Sequence, residues 1–280
     1  MGYRSLLVLL DHTSACTARA RCAIQLAKDL DCHLVGLAPT DLIDLPNAPK
    51  AAASLQEYAA KVWDALREQA ERAADTFRDA CHAAQLESFE AIIEEASKVD
   101  SLVRHARWAD LTVLTQADPS EPNHAVAQDL VESVLLHSAR PTLVLPYASD
   151  VRRIGSRVMV AWNDTREAAR AVSDALPLLQ RAPQVEVVTW DERSGANEKT
   201  LRPQLDALQK WLMWQRVTAA VRIERSGVGI ADAMLSHAAD TEADLIVMGA
   251  YGHSRWTELV LGGATRGLLA SMTVPVLMSH

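Results

Sequence analysis

The sequence predicts an α/β protein of two tandem doubly wound, Rossmann-like domains, each built on a five-stranded parallel sheet. Short apolar runs alternate with longer segments of helical pattern, and the whole alternation occurs twice along the chain. Strands that alternate with helices form parallel sheets through right-handed crossovers, with helices on both faces. Ligands of such sheets bind beyond the carboxyl ends of the strands, where the strand order reverses.

The two halves of the chain resemble each other in sequence. ADLTVLTQ (109–116) is similar to ADLIVMGA (243–250), and SLLVLLDHT (5–13) is similar to RVMVAWNDT (157–165). Downstream of the first pair, the two copies align without a gap at an offset of 134 residues. Such self-similarity is the signature of a repeated structural unit. We therefore expect domains at 1–148 and 154–280, with the polar stretch YASDVRRIGS (147–156) linking them.

Each copy predicts five strands and four helices. In the first copy, apolar runs predict strands near 5–10, 33–38, 88–94, 110–115 and 141–146, and helical periodicity predicts helices near 14–30, 52–85, 97–107 and 127–138. In the second copy, the strands are expected near 157–162, 185–190, 219–224, 243–249 and 273–279, and the helices near 166–181, 198–216, 229–240 and 263–271.

Composition is typical of a globular protein that works in the cytoplasm. Nearly half of the 280 residues are apolar, and no apolar run is long enough to span a bilayer. The first apolar run ends within a few residues at Asp11, which is too short for a secretory signal. The four cysteines form no C-x-x-C pair, so we interpret them as buried free thiols. No basic face with interleaved aromatic residues indicates nucleic-acid binding.

Glycines cluster near the C-terminus, at 249, 252, 262, 263 and 267. Gly249 and Gly252 follow the predicted fourth strand of copy two, and Gly262 and Gly263 precede its last helix. Bare backbone at a helix N-terminus lets amide groups approach an anion, so the pattern indicates a phosphate cradle. Glycines that merely form turns are the alternative interpretation.

The first copy lacks these glycines although its strand, loop and helix have the same lengths. Alignment places Thr115, Asp118, Gln128 and Asp129 opposite Gly249, Gly252, Gly262 and Gly263. Residues 1–150 carry 13 Lys and Arg against 22 Asp and Glu, whereas the remainder carries 15 against 14. An acidic half repels phosphate more strongly. We therefore predict that the second copy binds the ligand and the first does not.

These residues resemble the universal stress protein family over essentially the whole chain. The family's nucleotide-binding signature, G-x2-G-x9-G-(S/T), is matched by Gly249, Gly252 and Gly262. The resemblance implies a strand order of 3-2-1-4-5 in each domain. It also implies an ATP or related adenine nucleotide, with or without Mg²⁺, as a regulatory ligand in a stress response.

The resemblance assigns the nucleoside end of the ligand to residues after the first two strands of copy two. Asn163, flanked by Ala161 and Asp164, takes the place of a family aspartate, and Trp190 ends the second strand. The phosphates would meet the glycines. Two positions depart from the family pattern. Gly263 replaces the signature's hydroxyl residue, and Thr265 could partly replace that hydroxyl. Asn163 replaces an aspartate and carries no charge.

Rapid catalysis is not predicted from the sequence, and we assign no catalytic residue and no metal ligand. No G-K-[ST] follows the glycines, so the stretch is not a Walker A loop. His253 and Arg255 could approach a phosphate, but solvent-facing positions are an equally good interpretation. Ser254 lies in a near miss to a nucleophile elbow that lacks the second glycine. Slow ATP hydrolysis, a hydrolase using Ser254 and a nucleotide-free scaffold of the same fold remain alternatives.

The last strand of each copy would expose an apolar sheet edge unless something covers it. In the family these edges pair antiparallel between domains, so the resemblance implies an internal pseudo-dimer here. Association of two chains into a homodimer is left open, and we expect no membrane partner.

Overall fold

The computed structural model describes residues 2–41, 53–148, 151, 153–191, 198–252 and 263–280. The first half contains β1 (Ser5–Leu9), α1 (Cys16–Leu30), β2 (His33–Pro39), α2 (Ala53–Ala83), β3 (Phe89–Glu94), α3 (Lys98–Ala106), β4 (Leu111–Thr115), α4 (His124–His137) and β5 (Thr142–Leu145). We refer to this half as domain 1.

The second half, domain 2, repeats the pattern with one additional short helix. It contains β6 (Arg157–Ala161), α5 (Arg166–Asp174), α6 (Leu176–Leu179), β7 (Gln184–Asp191), α7 (Glu198–Trp214), β8 (Ala219–Arg225), α8 (Ile230–Asp240), β9 (Leu245–Gly249), α9 (Gly263–Ser271) and β10 (Val276–Ser279). The predicted helix over 166–181 is therefore two helices. Pro177 has no amide hydrogen to bond back to Ser173, which explains the break.

The ten strands of the described residues form one continuous sheet in the order β3-β2-β1-β4-β5-β10-β9-β6-β7-β8. Each half has the order 3-2-1-4-5 and is parallel throughout. Alternate side chains of each strand enter two different cores: Leu6 and Val8 pack on the α1 and α2 side, and Leu7 and Leu9 pack on the α3 and α4 side. Successive side chains of a strand point to opposite faces of the sheet, and helices cover both faces here.

The aspartates of the repeated Ala-Asp-Leu motifs make equivalent hydrogen bonds in both halves. A carboxylate oxygen of Asp110 accepts hydrogen bonds from the backbone amides of Arg4 and Ser5, at 2.7 and 3.1 Å. The carboxylate of Asp244 likewise accepts from the amides of Ser156 and Arg157, at 2.8 and 3.0 Å. Each aspartate thus ties the start of a fourth strand to the start of the first.

The two halves meet through β5 and β10, which pair antiparallel with Leu143 opposite Leu277. Those two leucines are equivalent positions of the repeat, so a pseudo-twofold axis passes between them. Glu132 on α4 and Arg266 on α9 are also equivalent, and they form a two-point ion pair at 3.2 and 3.1 Å. The antiparallel edge pairing expected from the sequence is therefore present inside one chain.

Candidate functional site

The candidate site lies at the carboxyl edge of the domain 2 sheet. The strand order reverses between β6 and β9, which are parallel neighbours with Ala161 opposite Met248. The turn after β6 and the glycines after β9 therefore border the same crevice, which we call the domain 2 crevice. Ligands of doubly wound sheets bind at this place.

The turn after β6 presents polar groups at the mouth of the crevice. The amide oxygen of Asn163 accepts a 2.9 Å hydrogen bond from the hydroxyl of Thr165, and the same Thr165 oxygen caps α5 by accepting from the amide of Ala168 at 3.3 Å. Asp164 has a φ of 57°, in the left-handed region that Asn and Asp tolerate. Asn163 and Asp164 are exposed, whereas Ala161 is buried.

Gly249 and Gly252 are packed against the first turn of α5. A methyl group on Gly249 would lie 2.5 Å from the amide nitrogen of Ala168, and one on Gly252 would lie 2.8 Å from a carboxylate oxygen of Glu167. A larger residue at Gly249 would push the backbone of α5 away from the strand, and one at Gly252 would displace the carboxylate of Glu167. These glycines therefore have a packing reason that is independent of any ligand.

Glu167 is a site residue that sequence reasoning missed. Its side chain is only 4% exposed, and its ion-pair partner Arg166 is 85% exposed. Burial alone would raise the pKa of Glu167, but the hydrogen bond from Arg166 holds the pKa below its usual value. Glu167 therefore lies beside the glycines in space although it is distant from them in the chain. An acidic residue in the first turn of a helix is common, so nothing in the local sequence marks this one as buried.

The N-terminus of α9 forms another border of the site. Gly263 is exposed, and a methyl group there would meet no atom within 4 Å. The first turn of α9 carries no acidic residue. Thr265 is buried, and its hydroxyl oxygen accepts a 3.3 Å hydrogen bond from the amide of Tyr251. Gly263 is thus free of the steric constraint that applies to Gly249, while the Thr265 hydroxyl holds the start of the loop.

Trp190 has a packing environment on the α8 side of the sheet. Its ring makes an edge-to-face contact with His237, with ring centroids 6.2 Å apart. His237 Nε2 lies 2.8 Å from a carboxylate oxygen of Glu186. The remaining predicted site residues, His253, Arg255 and Gly262, lie outside the described residues, as do Ser254 and the middle of the loop.

The equivalent place in domain 1 is occupied by a buried arginine. Arg19 donates from Nε to the carbonyl of Leu9 at 2.8 Å and from Nη1 to the hydroxyl of Thr115 at 3.0 Å. Its Nη2 lies 2.9 Å from Asp11 Oδ1, an ion pair without the alignment of a hydrogen bond. The repeat places Ala171 opposite Arg19, so domain 2 has a small apolar side chain at the equivalent position.

Asp11 in domain 1 is consequently engaged inside its own domain. Burial would raise its pKa, but Arg19 and two hydrogen bonds from Thr13 hold the pKa below its usual value. The Thr13 hydroxyl donates to Asp11 at 2.6 Å, in the same way that Thr165 donates to Asn163. The two turns are therefore alike in geometry and differ in charge.

Two doubly wound halves, fused through their last strands and each with a polar crevice at its switch point, define a tandem α/β protein. The chain belongs to the Universal stress protein family, whose profile matches residues 2–146 and again residues 156–280. No curated protein matches the chain.

Solved structures show the same fold at low sequence identity. A universal stress protein from Archaeoglobus fulgidus is 17% identical with a TM-score of 0.74, over 98% of this chain and 95% of that one. A Pseudomonas aeruginosa protein assigned to the universal stress proteins is 16% identical with a TM-score of 0.61, over 99% and 93%. These similarities support the fold.

Two properties of the described residues concern membranes and metal ions. None of their helices combines the length and the apolar character needed to cross a membrane. Within the same residues, no three His, Cys, Asp or Glu side chains are grouped so that they could hold a metal ion by themselves.

Proposed function

We propose that domain 2 binds an adenine nucleotide, ATP or a close relative, as a regulatory ligand, and that domain 1 does not. The observation that carries the proposal is the contrast at the switch point. In domain 1 the guanidinium of Arg19 bonds to the carboxyl ends of the first and fourth strands, whereas domain 2 has Ala171 and Gly249 at the positions equivalent to Arg19 and Thr115. Together with the family's glycine signature, this favours a ligand in domain 2 alone.

The phosphates would lie between the glycines and the start of α9. The exposed Gly263 leaves backbone amides of the first turn open to an anion, and the positive end of the helix dipole points the same way. Asn163, Asp164 and the strand end at Ala161 would then border the nucleoside, with Trp190 at the end of the next strand.

Glu167 predicts that the nucleotide binds as its magnesium complex. A buried carboxylate beside Gly252 would repel phosphate oxygens directly. Mg²⁺ is commonly held by one or two carboxylates together with substrate phosphates, so Glu167 fits this ion. The bound ion would neutralise charge between the carboxylate and the phosphates. We expect binding, with hydrolysis slow if it occurs at all.

The test is the nucleotide content of the purified chain, followed by titration with ATP in magnesium and in EDTA. We expect about one adenine nucleotide per chain, and binding that weakens at least tenfold without magnesium, which is about 1.4 kcal/mol. A protein that carries no nucleotide and takes up none, with or without magnesium, would overturn the proposal. The buried Glu167 would then favour the second candidate, a nucleotide-free scaffold.

Gly263→Asp is the sharpest variant, because it introduces the residue that domain 1 has at this position and meets no steric obstacle. An aspartate in the first turn stabilises a helix but repels phosphate, so the fold should persist while ATP binding falls about tenfold or more. Gly263→Ser is the matched control and should keep binding. Equal affinities of the two variants would contradict a phosphate position at α9.

A further inference from the structure

The phosphate position proposed for domain 2 lies on α9, a helix of only nine residues. An isolated helix of this length is not stable in water, so the direction of its backbone amides depends on what packs against it. Within domain 2 the helix rests on α8, and a methyl group on Gly267 would lie 3.1 Å from the Cβ atom of Ala231. Further contacts of α9 cross the pseudo-twofold axis to domain 1.

Gln116 of domain 1 holds the C-terminal end of α9. This side chain is buried, and its Nε2 donates a 2.8 Å hydrogen bond to the carbonyl of Leu269. Leu269 lies in the last turn of the helix, where carbonyls have no partner inside the helix. The amide oxygen of Gln116 accepts from the backbone amide of Tyr147 at 3.3 Å, so the side chain is fixed at both of its polar atoms.

Glu132 of domain 1 holds the middle of α9. The Glu132 side chain is 13% exposed, and both of its carboxylate oxygens accept hydrogen bonds from Arg266. One of these oxygens also accepts a 3.2 Å hydrogen bond from Nε2 of Gln128, one turn earlier on α4. The carboxylate is therefore oriented by its own helix while it anchors the helix of the other domain.

Tyr251 connects the glycine loop to the same contact. Its hydroxyl is buried against the pair of Glu132 and Arg266, without the alignment of a hydrogen bond. Burial raises the pKa of this hydroxyl, Glu132 raises it further and Arg266 lowers it. The backbone of Tyr251 has a φ of 55°, and its amide donates to the hydroxyl of Thr265 on α9. The residue that leads into Gly252 is thus placed by α9 and by domain 1 together.

The repeat shows that these contacts act in one direction. Gln116 corresponds to Ala250, and Tyr251 corresponds to Ala117. Ala250 has no side-chain donor that could bond to α4 as Gln116 bonds to α9, and Ala117 has no ring or hydroxyl. Domain 1 therefore constrains the phosphate helix of domain 2 through contacts for which domain 2 has no equivalent side chains.

We propose, on the basis of the proposed nucleotide function, that domain 1 is a positioning element of the domain 2 site. Gln116 and Glu132 fix α9 and the entrance of the loop where the phosphates bind. Neither side chain contacts the nucleotide, and both act through α9, whose amides must already point at the phosphates for tight binding. A domain without a nucleotide of its own thereby sets the affinity of its neighbour.

Glu132→Gln tests the contact in a titration of the full chain with magnesium ATP. Removing a carboxylate close to phosphates would by itself strengthen the binding of an anion, so weaker binding separates positioning from charge. We expect binding about fivefold weaker, in the range of residues that act through a contact network. Asp129→Asn is the matched control, because it removes the same charge from an exposed position of the same helix, and it should bind like the parent or slightly more tightly. Unchanged or tighter binding by Glu132→Gln would overturn the proposal.

Gln116→Met removes both hydrogen bonds at nearly the same volume and should also weaken ATP binding about fivefold. Asp110→Asn is its control, because it loosens the start of β1 at the opposite edge of domain 1 and leaves α9 untouched. This control should lower the stability of the chain and keep its affinity for ATP. Equal weakening by the two variants would mean that any destabilised domain 1 has this effect, which contradicts a specific role of Gln116.

Hydrogen exchange without nucleotide keeps this test separate from the nucleotide proposal. A parent chain that takes up no ATP overturns the nucleotide site, and the holding of α9 is then read from the amides of 263–271. Glu132→Gln and Gln116→Met should speed their exchange about threefold or more, whereas Asp129→Asn and Asp110→Asn should not. Exchange at α9 that is the same in all four variants would overturn the positioning role, whether or not ATP binds.

Discussion

Domain 1 and domain 2 share a hydrogen-bonded turn after their first strands and differ in the charged groups beside it. In domain 1 a buried Arg19 reaches back to the strand ends and binds Asp11 and Thr115. In domain 2 a buried Glu167 lies beside two glycines, and its ion-pair partner is the exposed Arg166. One copy pairs its buried cation with groups at its own strand ends, whereas the other has a buried carboxylate whose ion-pair partner is exposed to solvent. A buried titratable group with a specific charge partner beside a cleft is a candidate binding-site residue.

The largest expected effect comes from removing the internal cation of domain 1. Arg19→Met leaves Asp11 without its counter-charge in a largely buried place, and breaking such a pair costs about 3 kcal/mol. Urea unfolding would measure the loss. Arg202→Met, which removes an exposed helical ion pair in domain 2, is the control and should cost about 0.5 kcal/mol. Similar losses in both variants would mean that Arg19 does not anchor the domain.

The second prediction tests the close packing of Gly249 against α5 in domain 2. Gly249→Ala forces the start of α5 away from β9, and we expect a loss of about 2 kcal/mol in the free energy of unfolding. Gly263→Ala enters open space and should change stability by less than about 0.5 kcal/mol. If both substitutions were neutral, the close approach of α5 to Gly249 would not be a constraint on the fold.

The third prediction tests whether the ion pair between Glu132 and Arg266 stabilises the contact between the two domains. Glu132→Arg or Arg266→Glu alone places like charges together and should destabilise the protein by about 1 kcal/mol. The double exchange should recover most of that loss, since the positions are equivalent by the pseudo-twofold axis. A double variant as unstable as the sum of the singles would show that the charges do not interact.

The smallest expected effect is a difference in acid sensitivity. Burial alone would raise the pKa of Glu186, but hydrogen bonds from His237 and Arg222 hold it below its usual value. The carboxylate therefore stabilises domain 2 above the unfolded pKa of about 4.3, and this contribution disappears as the pH falls through the lower folded pKa.

Domain 1 has Val35 at the position equivalent to Glu186, and carboxylates of domain 1 with a lowered pKa, Asp11 and Glu94 among them, lie elsewhere. Glu186→Gln should cost about 0.5 kcal/mol at pH 7 and nothing at pH 2, as measured by urea unfolding at the two pH values. The exposed Glu87→Gln serves as the control. A loss from Glu186→Gln that is the same at both pH values would contradict an electrostatic origin.

The fold was largely predictable because its signals are local and repeated. Apolar runs and helical periodicity located all ten strands, and the ADL motifs turned out to be matching capping sites for the first strands. The strand order followed from the family resemblance, and the ten strands join into one sheet through β5 and β10. The helix predicted over 166–181 is instead interrupted at Ala175, because Pro177 has no amide hydrogen to donate.

The candidate site was less predictable because its decisive contacts join distant segments. The neighbours of Gly249 are Glu167 and Ala168, about eighty residues earlier in the chain. Aligning the loops of the two copies compared Gly249 with Thr115 but did not show that Thr115 accepts a hydrogen bond from Arg19. Alignment pairs equivalent residues of the two copies, whereas the burial and the charge environment of a residue depend on the segments that pack against it.

The strand pair at the centre of the sheet has a consequence for how the chain can be divided. Every residue of β5 and of β10 is buried. A half-chain ending at Tyr147 would expose β5 as a bare apolar edge, with unpaired backbone groups ready to join any other strand. The last strand of each half therefore covers the apolar sheet edge of the other half. A truncated gene product should aggregate or pair with a second copy, and it should not behave as an independent unit.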